Sequence, residues 1–371
     1  MTTTSDTDLA DGLACLAVDS APPRATAITL DHQRYPHILN AIVSYAPHES
    51  LIALRAASRH LRNRCDDKMA AHLVLNVSLH ASQNAWAMII KTRGNKGRVP
   101  CLFDWHHMRD AGDFDKWYDM FATGNDLDVL AHTRVLDLVG ALPMHVALIL
   151  GKFKTLHTLR CDGPPPESLA YRTTEQIRTV VVFTDLERDW LGENLRPPYE
   201  NLPPNITKLV VVVAFDDSNF NLHRERPSPS EIMLTRTIYS DDLAEIVYVL
   251  RAYNPAPEYP QLKVLLRLIT VIVMHKLKAR VKYTFVVNHR YGAKYKDAPP
   301  VDENLFNAKL RGMINAQLAR LATDMFCTWD QETMDAVKAN IEVVTLKEYV
   351  QRVGAVTATL ETDLCCECPL E

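Results

Sequence analysis

The sequence predicts an α/β fold in which a small N-terminal unit of three helices precedes a repeat-built, curved parallel sheet. Two observations support this prediction. Apolar residues recur at helical spacings between residues 35 and about 79, and from residue 130 a short apolar strand pattern alternates with polar or proline-containing turns. We therefore expect five segments: a disordered leader over 1–30, a helical domain over 31–80, a helical connector over 81–130, a repeat domain over 131–360 and a cysteine-rich tail over 361–371.

The composition is that of an ordinary soluble globular protein. The 371 residues are 47% hydrophobic and carry a formal net charge of −4, so the chain has no overall positive charge for nucleic acid or anionic lipid. The apolar stretch over residues 262–281 contains several charged residues, and its charge-free core, residues 268–274, is far shorter than the roughly 20 residues that span a bilayer. The polar, acidic start and the scattered cysteines predict neither a signal peptide nor a disulfide framework. We therefore expect a cytoplasmic or nuclear protein that binds neither nucleic acid nor membrane.

Three short helices are predicted in the segment 31–80. The first begins at Pro36, because proline in the first helical turn loses no hydrogen bond, and it ends before Pro47. Its predicted apolar face consists of Ile38, Leu39, Ile42, Val43 and Ala46. The second helix is expected to face the same core through Leu51, Leu54 and Ala57. Ser58 is a suitable N-cap for the third. Helices this short bury little area, so we expect them to pack against a neighbouring domain or a partner.

The repeat domain is predicted from the pattern apolar-x-x-apolar-x-apolar, which occurs four times after one degenerate copy. The central apolar positions are Leu136, Leu159, Val180, Leu209 and Ile246, at intervals of 23, 21, 29 and 37 residues. Leucine-rich repeats have roughly 20–29 residues, so three intervals fit and the last needs an insertion, which the proline-containing residues 227–230 provide. Such repeats bury their apolar edges by stacking, which predicts a leucine-rich-repeat-like solenoid. An ordinary α/β sheet is the alternative that the pattern leaves open.

Further elements are predicted outside these repeats. Trp86, Trp105 and Trp117 lie in the segment 81–130, which we interpret as a helical connector. Beyond the repeats, residues 262–281 and 304–322 are predicted to be helices, and residues 283–287 and 341–345 are predicted to be strands.

The search for catalytic chemistry finds no glycine-rich phosphate loop, nucleophile elbow or zinc-protease helix. His106 and His107 form the only adjacent histidine pair, and the aspartates near them are Asp104, Asp110, Asp113 and Asp115. We interpret this region as a polar loop; an enzyme that uses the cluster is an alternative. The tail residues Cys365, Cys366 and Cys368 have no partner pair of Cys or His nearby, so we expect an incidental thiol cluster. We therefore predict no catalytic residue, no cofactor and no metal site.

The N-terminal helices resemble an F-box. The matching segments are residues 35–46, YPHILNAIVSYA, and residues 49–59, ESLIALRAASR. The F-box pattern has a proline followed by an Ile/Leu helix ending in Ser-Tyr, then a leucine-rich helix and a Ser-Arg or Ser-Lys start to the third. More closely, the chain is similar to divergent F-box-like proteins of basidiomycete fungi, through residues 131–138, AHTRVLDL, and 346–349, LKEY, followed by Val353 and Gly354.

The resemblance implies a function. F-box proteins bind the Skp adaptor of cullin–RING ubiquitin ligases, and their repeat regions present substrates. By position, the adaptor-binding residues would be Pro36, Ile38, Ile42, Leu51 and Leu54. The chain would then be a non-catalytic substrate receptor for an unknown protein in an SCF-type ligase, with the Skp adaptor and the cullin as partners. Two alternatives stay open: these apolar residues pack against residues 80–130, or the chain is an interaction scaffold with a vestigial F-box.

Overall fold

The computed structural model describes the chain in thirteen segments: residues 34–80, 85–92, 101–108, 130–140, 150–151, 153–163, 176–185, 202–203, 205–215, 242–252, 280–289, 303–323 and 330–362. The predicted leader over 1–30, the cysteines of the tail and residues 262–279 of a predicted helix lie outside these segments. The chain divides into two compact units, Met1–Ala46 and Pro47–Glu371. This division falls inside the segment 31–80 that the sequence predicts as one helical domain.

The first unit contains helix α1, Pro36–Tyr45, which begins at the predicted proline. Leu39 and Val43 are buried, whereas Ile38 and Ile42 are exposed. The single apolar face predicted from the sequence is therefore two faces, one buried and one exposed.

The second unit begins with helices α2, His48–Ala57, and α3, Arg59–Ala70. The predicted cap of α3 is confirmed, because the Leu61 amide donates to Ser58 Oγ at 3.1 Å. Arg55 on α2 pairs with Asp66 on α3 at 2.5 Å. Helix ends earlier than the sequence predicts, however, since residues 72–80 form strand β1, His72–His80.

A ten-stranded sheet forms the centre of the second unit. Its remaining strands are β2 Ala85–Thr92, β3 Cys101–Met108, β4 Val135–Gly140, β5 Thr158–Asp162, β6 Thr179–Asp185, β7 Lys208–Phe215, β8 Glu245–Ala252, β9 Lys282–His289 and β10 Ile341–Thr345. The strand order is β10-β9-β8-β7-β6-β5-β4-β1-β2-β3. The eight strands from β10 to β1 pair in parallel, and β2 and β3 continue the sheet as antiparallel strands. The predicted α/β class is confirmed.

The register of the parallel strands aligns the predicted repeat positions. Leu136, Leu159, Val180, Leu209 and Ile246 are paired in turn across β4 to β8, so they form one continuous row. The main chain repeats in the same way: the Arg134 carbonyl accepts from the amides of His157 and Thr158, both at 3.1 Å, and the His157 carbonyl accepts from Arg178 and Thr179, both at 3.0 Å. Strands β4 to β8 therefore each start against the preceding segment with the same pair of hydrogen bonds.

The segment 81–130 differs from its prediction. The structure has strands β2 and β3 there, paired in antiparallel, instead of a helical connector. Asp104, His106 and His107 belong to β3, so the prediction of a polar loop is wrong for them, while residues 109–129 lie outside the described segments.

In the part of the chain after β9 that the structure describes, there are four helices: α4 Glu303–Thr323, α5 Gln331–Ala339, α6 Leu346–Val353 and α7 Ala355–Thr362. Helix α4 and strands β9 and β10 confirm predicted elements. The first face of the sheet, which includes Leu159 and Leu209, forms the main core with α4 and α5 through Leu310, Ile314, Leu318, Met334 and Val337. The second face, which includes Val210 and Val247, packs against α6 and α7.

Candidate interaction surfaces

Helix α1 exposes a stripe of large apolar side chains. Tyr35, Ile38, Ile42 and Tyr45 have exposed fractions of 46%, 37%, 42% and 89%. Spacings of four and three residues place Ile38, Ile42 and Tyr45 on one side of the helix, and Tyr35 is the N-cap residue directly before it. We call these four residues the α1 stripe. The two tyrosines were missed by the sequence analysis, although their helical spacing from Ile38 and Ile42 could have identified them.

The five predicted adaptor-binding residues have different environments. Pro36, Ile38 and Ile42 are exposed on α1. Leu54 on α2 is partly buried, and Leu51 is only 3% exposed. Leu51 therefore belongs to the interior and cannot be part of a contact surface in this conformation, which corrects the prediction. Its neighbour Ile52 is 45% exposed instead.

The second face of the sheet presents a row of valines on β6 to β9. We call this surface the valine face; it consists of Val181, Val210, Val212, Val247, Val249 and Val286, all buried. Helices α6 and α7 cover it with Leu346, Tyr349, Val350, Val353 and Ala358. The chain's own helices α6 and α7 therefore pack against this face of the sheet.

A buried polar cluster connects the two helices to the sheet. Lys208 at the start of β7 places its Nζ 2.6 Å from Oε1 of Glu361 on α7, and it donates to the Tyr349 hydroxyl of α6 at 3.1 Å. The same Nζ lies 3.7 Å from Oε2 of Glu245 on β8. The Tyr349 hydroxyl donates to the other oxygen of Glu361. Burial, followed by the charge of Glu361 and the hydrogen bond to it, raises the pKa of Tyr349, which keeps the hydroxyl a donor.

Helix α6 has two further attachments to the sheet. Thr345, the last residue of β10, forms a reciprocal capping box with Glu348: its Oγ1 accepts from the Glu348 amide at 3.1 Å, and its own amide donates to Glu348 Oε2 at 2.7 Å. Arg352 pairs with Glu342 at 2.6 Å, and Lys282 pairs with the same carboxylate at 3.1 Å. Burial alone would raise the pKa of Glu342, but the hydrogen bonds from Lys282 and Arg352 lower it further than burial raises it.

Charged side chains also lie within the second face at β4 and β5. Arg160 is 1% exposed and donates to both carboxylate oxygens of Asp137 at 2.9 Å. Nε2 of His72 on β1 lies 2.8 Å from Asp137 Oδ1. The guanidinium of Arg160 lies 4.9 Å from the centre of the Phe183 ring. The cluster joins three neighbouring strands, β1, β4 and β5, and a ring on β6.

Among the described residues, the Cys161 thiol and the Tyr349 phenol do not have the pKa shift of an activated nucleophile. Burial, with smaller effects from Asp137 and Asp162, raises the pKa of Cys161, and the pKa of Tyr349 is also raised. Activation of a thiol or phenol would require the opposite shift. Within the described segments, no group of three or more His, Cys, Asp and Glu residues could hold a metal ion.

No protein-family model matches the chain, and comparisons with curated proteins and with solved structures find no match. The resemblance to F-box proteins therefore depends on the sequence segments 35–59, 131–138 and 346–354 themselves. A helix long and apolar enough to cross a membrane does not occur in the described part of the chain.

Proposed function

We propose that the chain is the non-catalytic substrate-recognition subunit of an SCF-type cullin–RING ubiquitin ligase. The observation that supports this most directly is the α1 stripe, which exposes two isoleucines and two tyrosines in the segment that resembles an F-box. Aligned apolar side chains on an exposed helix face are typical of a protein contact site. In this proposal the stripe binds the Skp adaptor, and the adaptor links the chain to the cullin.

The contact surface is narrower than the five residues that the resemblance implies. Pro36, Ile38 and Ile42 stay in it, and Tyr35 and Tyr45 extend it along α1. Leu54 and Leu51 belong to α2 in the second unit, where Leu54 is partly buried and Leu51 is buried. Ile42 lies between Ile38 and Tyr45 on the stripe, which makes it the residue of choice for disrupting the contact.

The strand order supports a leucine-rich-repeat-like architecture for the second unit. Strands β4 to β10 follow one another across the sheet in chain order, and each neighbouring pair is parallel. Stacked repeats produce this order, whereas doubly wound sheets reverse their strand order at a switch point. In this proposal the repeat unit holds a protein substrate close to the ubiquitin-charged enzyme, and this positioning is its contribution to the reaction. A subunit of this kind acts in the cytoplasm or the nucleus.

A binding experiment with purified Skp-type adaptor tests the proposal. We expect the wild-type chain to bind the adaptor. The Ile42→Asp and Ile38→Asp variants are each expected to lose at least about 30-fold in affinity, as is typical of central interface residues. Both positions are exposed, so the variants are expected to keep the wild-type thermal unfolding midpoint. Val356→Asp is the matched control, because Val356 is a 78% exposed apolar residue on α7, outside the stripe.

The outcomes separate the possibilities clearly. Failure of the wild-type chain to bind the adaptor would overturn the ligase proposal. Equal binding by wild type and Ile42→Asp would show that the α1 stripe is not the contact. Leu51→Asp is not a useful test, since an aspartate at a 3% exposed position would unfold α2 and abolish binding indirectly.

An interaction scaffold with a vestigial F-box is the second candidate, and the burial of Leu51 favours it. One of the five residues expected at the adaptor surface lies in the interior, which leaves a smaller contact than the family pattern implies. For this candidate we expect the tagged chain purified from cells to retain a stable protein partner but neither adaptor nor cullin. Recovery of a cullin in stoichiometric amount would exclude it.

A further inference from the structure

We propose that α6 and α7, residues 346–362, form a displaceable strap over a partner-binding surface, the valine face. A partner's amphipathic helical segment that supplies a carboxylate takes the place of the strap. We call Lys208, Tyr349 and Glu361 the latch. This inference deepens the substrate-recognition part of the proposed function and rests on it, but its test does not involve the adaptor.

The valine face needs a cover because its side chains are apolar and central to the sheet. Val181, Val210, Val247 and Val249 have no measurable exposure, and they belong to the same buried cluster as Tyr349 and Ala358 of the strap. A contiguous apolar surface of this kind is rarely left open to water in a monomeric protein. Whatever occupies it must present apolar side chains, as Val350, Val353 and Ala358 of the strap do.

The strap has the features of a removable element. Each of its helices has eight residues, a length at which an isolated helix is unstable in water, so both depend on docking. They follow β10 and contribute no strand, so their release breaks no pairing in the sheet. Gly354 joins them with φ +85°, a conformation that favours glycine and provides a hinge between α6 and α7. The outer side of α7, including Val356 and Thr359, is exposed.

The latch determines the chemistry of the partner. The carboxylate of Glu361 lies 2.6 Å from the Lys208 ammonium, and release of α7 would remove it. Among the described residues, the acid then nearest to Lys208 would be Glu245, at 3.7 Å. A largely buried ammonium is costly without a close counter-charge. An incoming segment therefore needs an acidic residue at the position of Glu361 as well as an apolar side. The strap itself provides the sequence pattern that a partner would imitate, with a tyrosine and a glutamate twelve residues apart at Tyr349 and Glu361.

Because the latch is polar, it can be weakened without altering the valine face. Glu361→Gln keeps the shape of the side chain and removes its charge, and Tyr349→Phe keeps the ring and removes the donor to Glu361. Glu361→Lys places two ammonium groups together and is expected to open the strap most. Exchanging the charges, with Lys208→Glu and Glu361→Lys together, is expected to restore much of the closure.

Native-state hydrogen exchange on the full chain tests the strap. In wild type we expect the amides of 346–362 to exchange through an opening that is more frequent than the opening of β7 and β8. Glu361→Gln is expected to accelerate exchange in 346–362 about 10- to 100-fold, the effect of losing a charged hydrogen bond, and to leave β7 and β8 unchanged. If the amides of the strap exchange only when those of β7 and β8 also exchange, both in wild type and in Glu361→Gln, the proposal is overturned.

A labelled synthetic peptide of residues 346–362 tests the partner chemistry. We expect it to bind the full-length Glu361→Lys chain, and to bind wild type at least tenfold more weakly, because the tethered strap competes at millimolar effective concentration. The same peptide with Glu361→Gln is expected to bind at least tenfold more weakly than the native peptide. Absence of binding, or equal binding by the two peptides, would contradict the proposed partner. Should Glu361→Lys fail to fold, Tyr349→Phe serves as the receptor under the same criteria. Adaptor binding is measured separately, so failure of one proposal does not imply failure of the other.

Discussion

Arg160 donates from Nη1 to both carboxylate oxygens of Asp137 at 2.9 Å, between neighbouring parallel strands. In the register of the sheet this pair lies between Val74 on one side and Val181 on the other, in a row that continues with Val210. Two opposite charges thus occupy positions where the rest of the row is largely apolar. Both side chains are almost fully buried, so each charge partly compensates the other, and His72 Nε2 also lies 2.8 Å from Asp137 Oδ1.

Removal of either partner alone is expected to be costly. Asp137→Val or Arg160→Leu should lower the free energy of unfolding by about 3–5 kcal/mol, because each removes one half of a buried ion pair. The double variant should recover more than half of the summed loss, since the row then resembles its valine neighbours. Urea denaturation of the four proteins measures this cycle. If the two single losses simply add in the double variant, the predicted coupling between Asp137 and Arg160 is wrong. Lys282→Met is the control: it breaks an exposed ion pair and should lower the free energy of unfolding by less than about 1 kcal/mol.

The capping box at Thr345 is expected to stabilise α6. Thr345→Ala removes the acceptor for the Glu348 amide, and we expect it to lower the free energy of unfolding by about 1 kcal/mol. Thr345→Ser retains the hydroxyl and should cost less than half as much. Thermal and urea unfolding of both variants measure the difference, and equal losses would mean that the methyl group, and not the cap, is responsible.

His157 is expected to titrate below an ordinary histidine. Burial, and then the positive charge of Arg134, lower its pKa from 6.5. Because the folded pKa lies below the unfolded one, the unfolded state binds the proton more readily. Stability is therefore lost as the pH falls from about 6.5 through the folded pKa, and it is unaffected at higher pH.

The Arg134→Gln variant should raise the pKa of His157 without restoring it fully, because burial is the larger cause. NMR titration of the imidazole measures this shift. Arg178→Gln is the control, since Arg178 directs its Nη1 to the Asn205 carbonyl at 3.2 Å, toward the following strand. If Arg178→Gln shifts the pKa of His157 more than Arg134→Gln does, Arg134 is not the charge that lowers this pKa.

Cys161 is expected to be unreactive in the folded protein. Burial raises its pKa, and the side chain is 1% exposed on the core face of β5. We expect iodoacetamide to modify Cys161, and likewise the buried Cys65, only after the protein is unfolded in urea. Mass spectrometry of the labelled peptides measures this, with the tail cysteines as an internal comparison. Rapid labelling of Cys161 under native conditions would show that β5 opens locally.

The strands of the repeat were predictable because their signal is local. Leu159, Val180 and Leu209 form one buried row, and each was identified from apolar residues two and three positions away in its own segment. Strand β1 could also have been found: Leu73, Leu75, Val77 and Leu79 alternate with other residues at the period of a strand, but the helices before them led to a helical interpretation. Strands β2 and β3 have no comparably regular alternation in the sequence. Strand β2 pairs with the edge of β1 that lies opposite β4, and β3 pairs with β2.

The contact residues were only partly predictable. Leu51 and Ile52 are adjacent and both apolar, yet one is 3% and the other 45% exposed. Ile38 and Leu39 differ in the same way on α1. A helical period indicates that apolar residues share a side, but it does not identify which of two neighbouring apolar residues faces the interior.

By itself, the sequence determined the α/β class, the start of α1 at Pro36, the N-cap of α3 at Ser58 and the spacing of the parallel strands, since caps and apolar periods act within a few residues. Only the tertiary structure decided which helices cover each face of the sheet. Lys208 meets Tyr349 and Glu361 across more than 140 residues of chain. No local pattern contains a contact of that range, because docking of α6 and α7 depends on a surface that exists only once β6 to β9 have assembled.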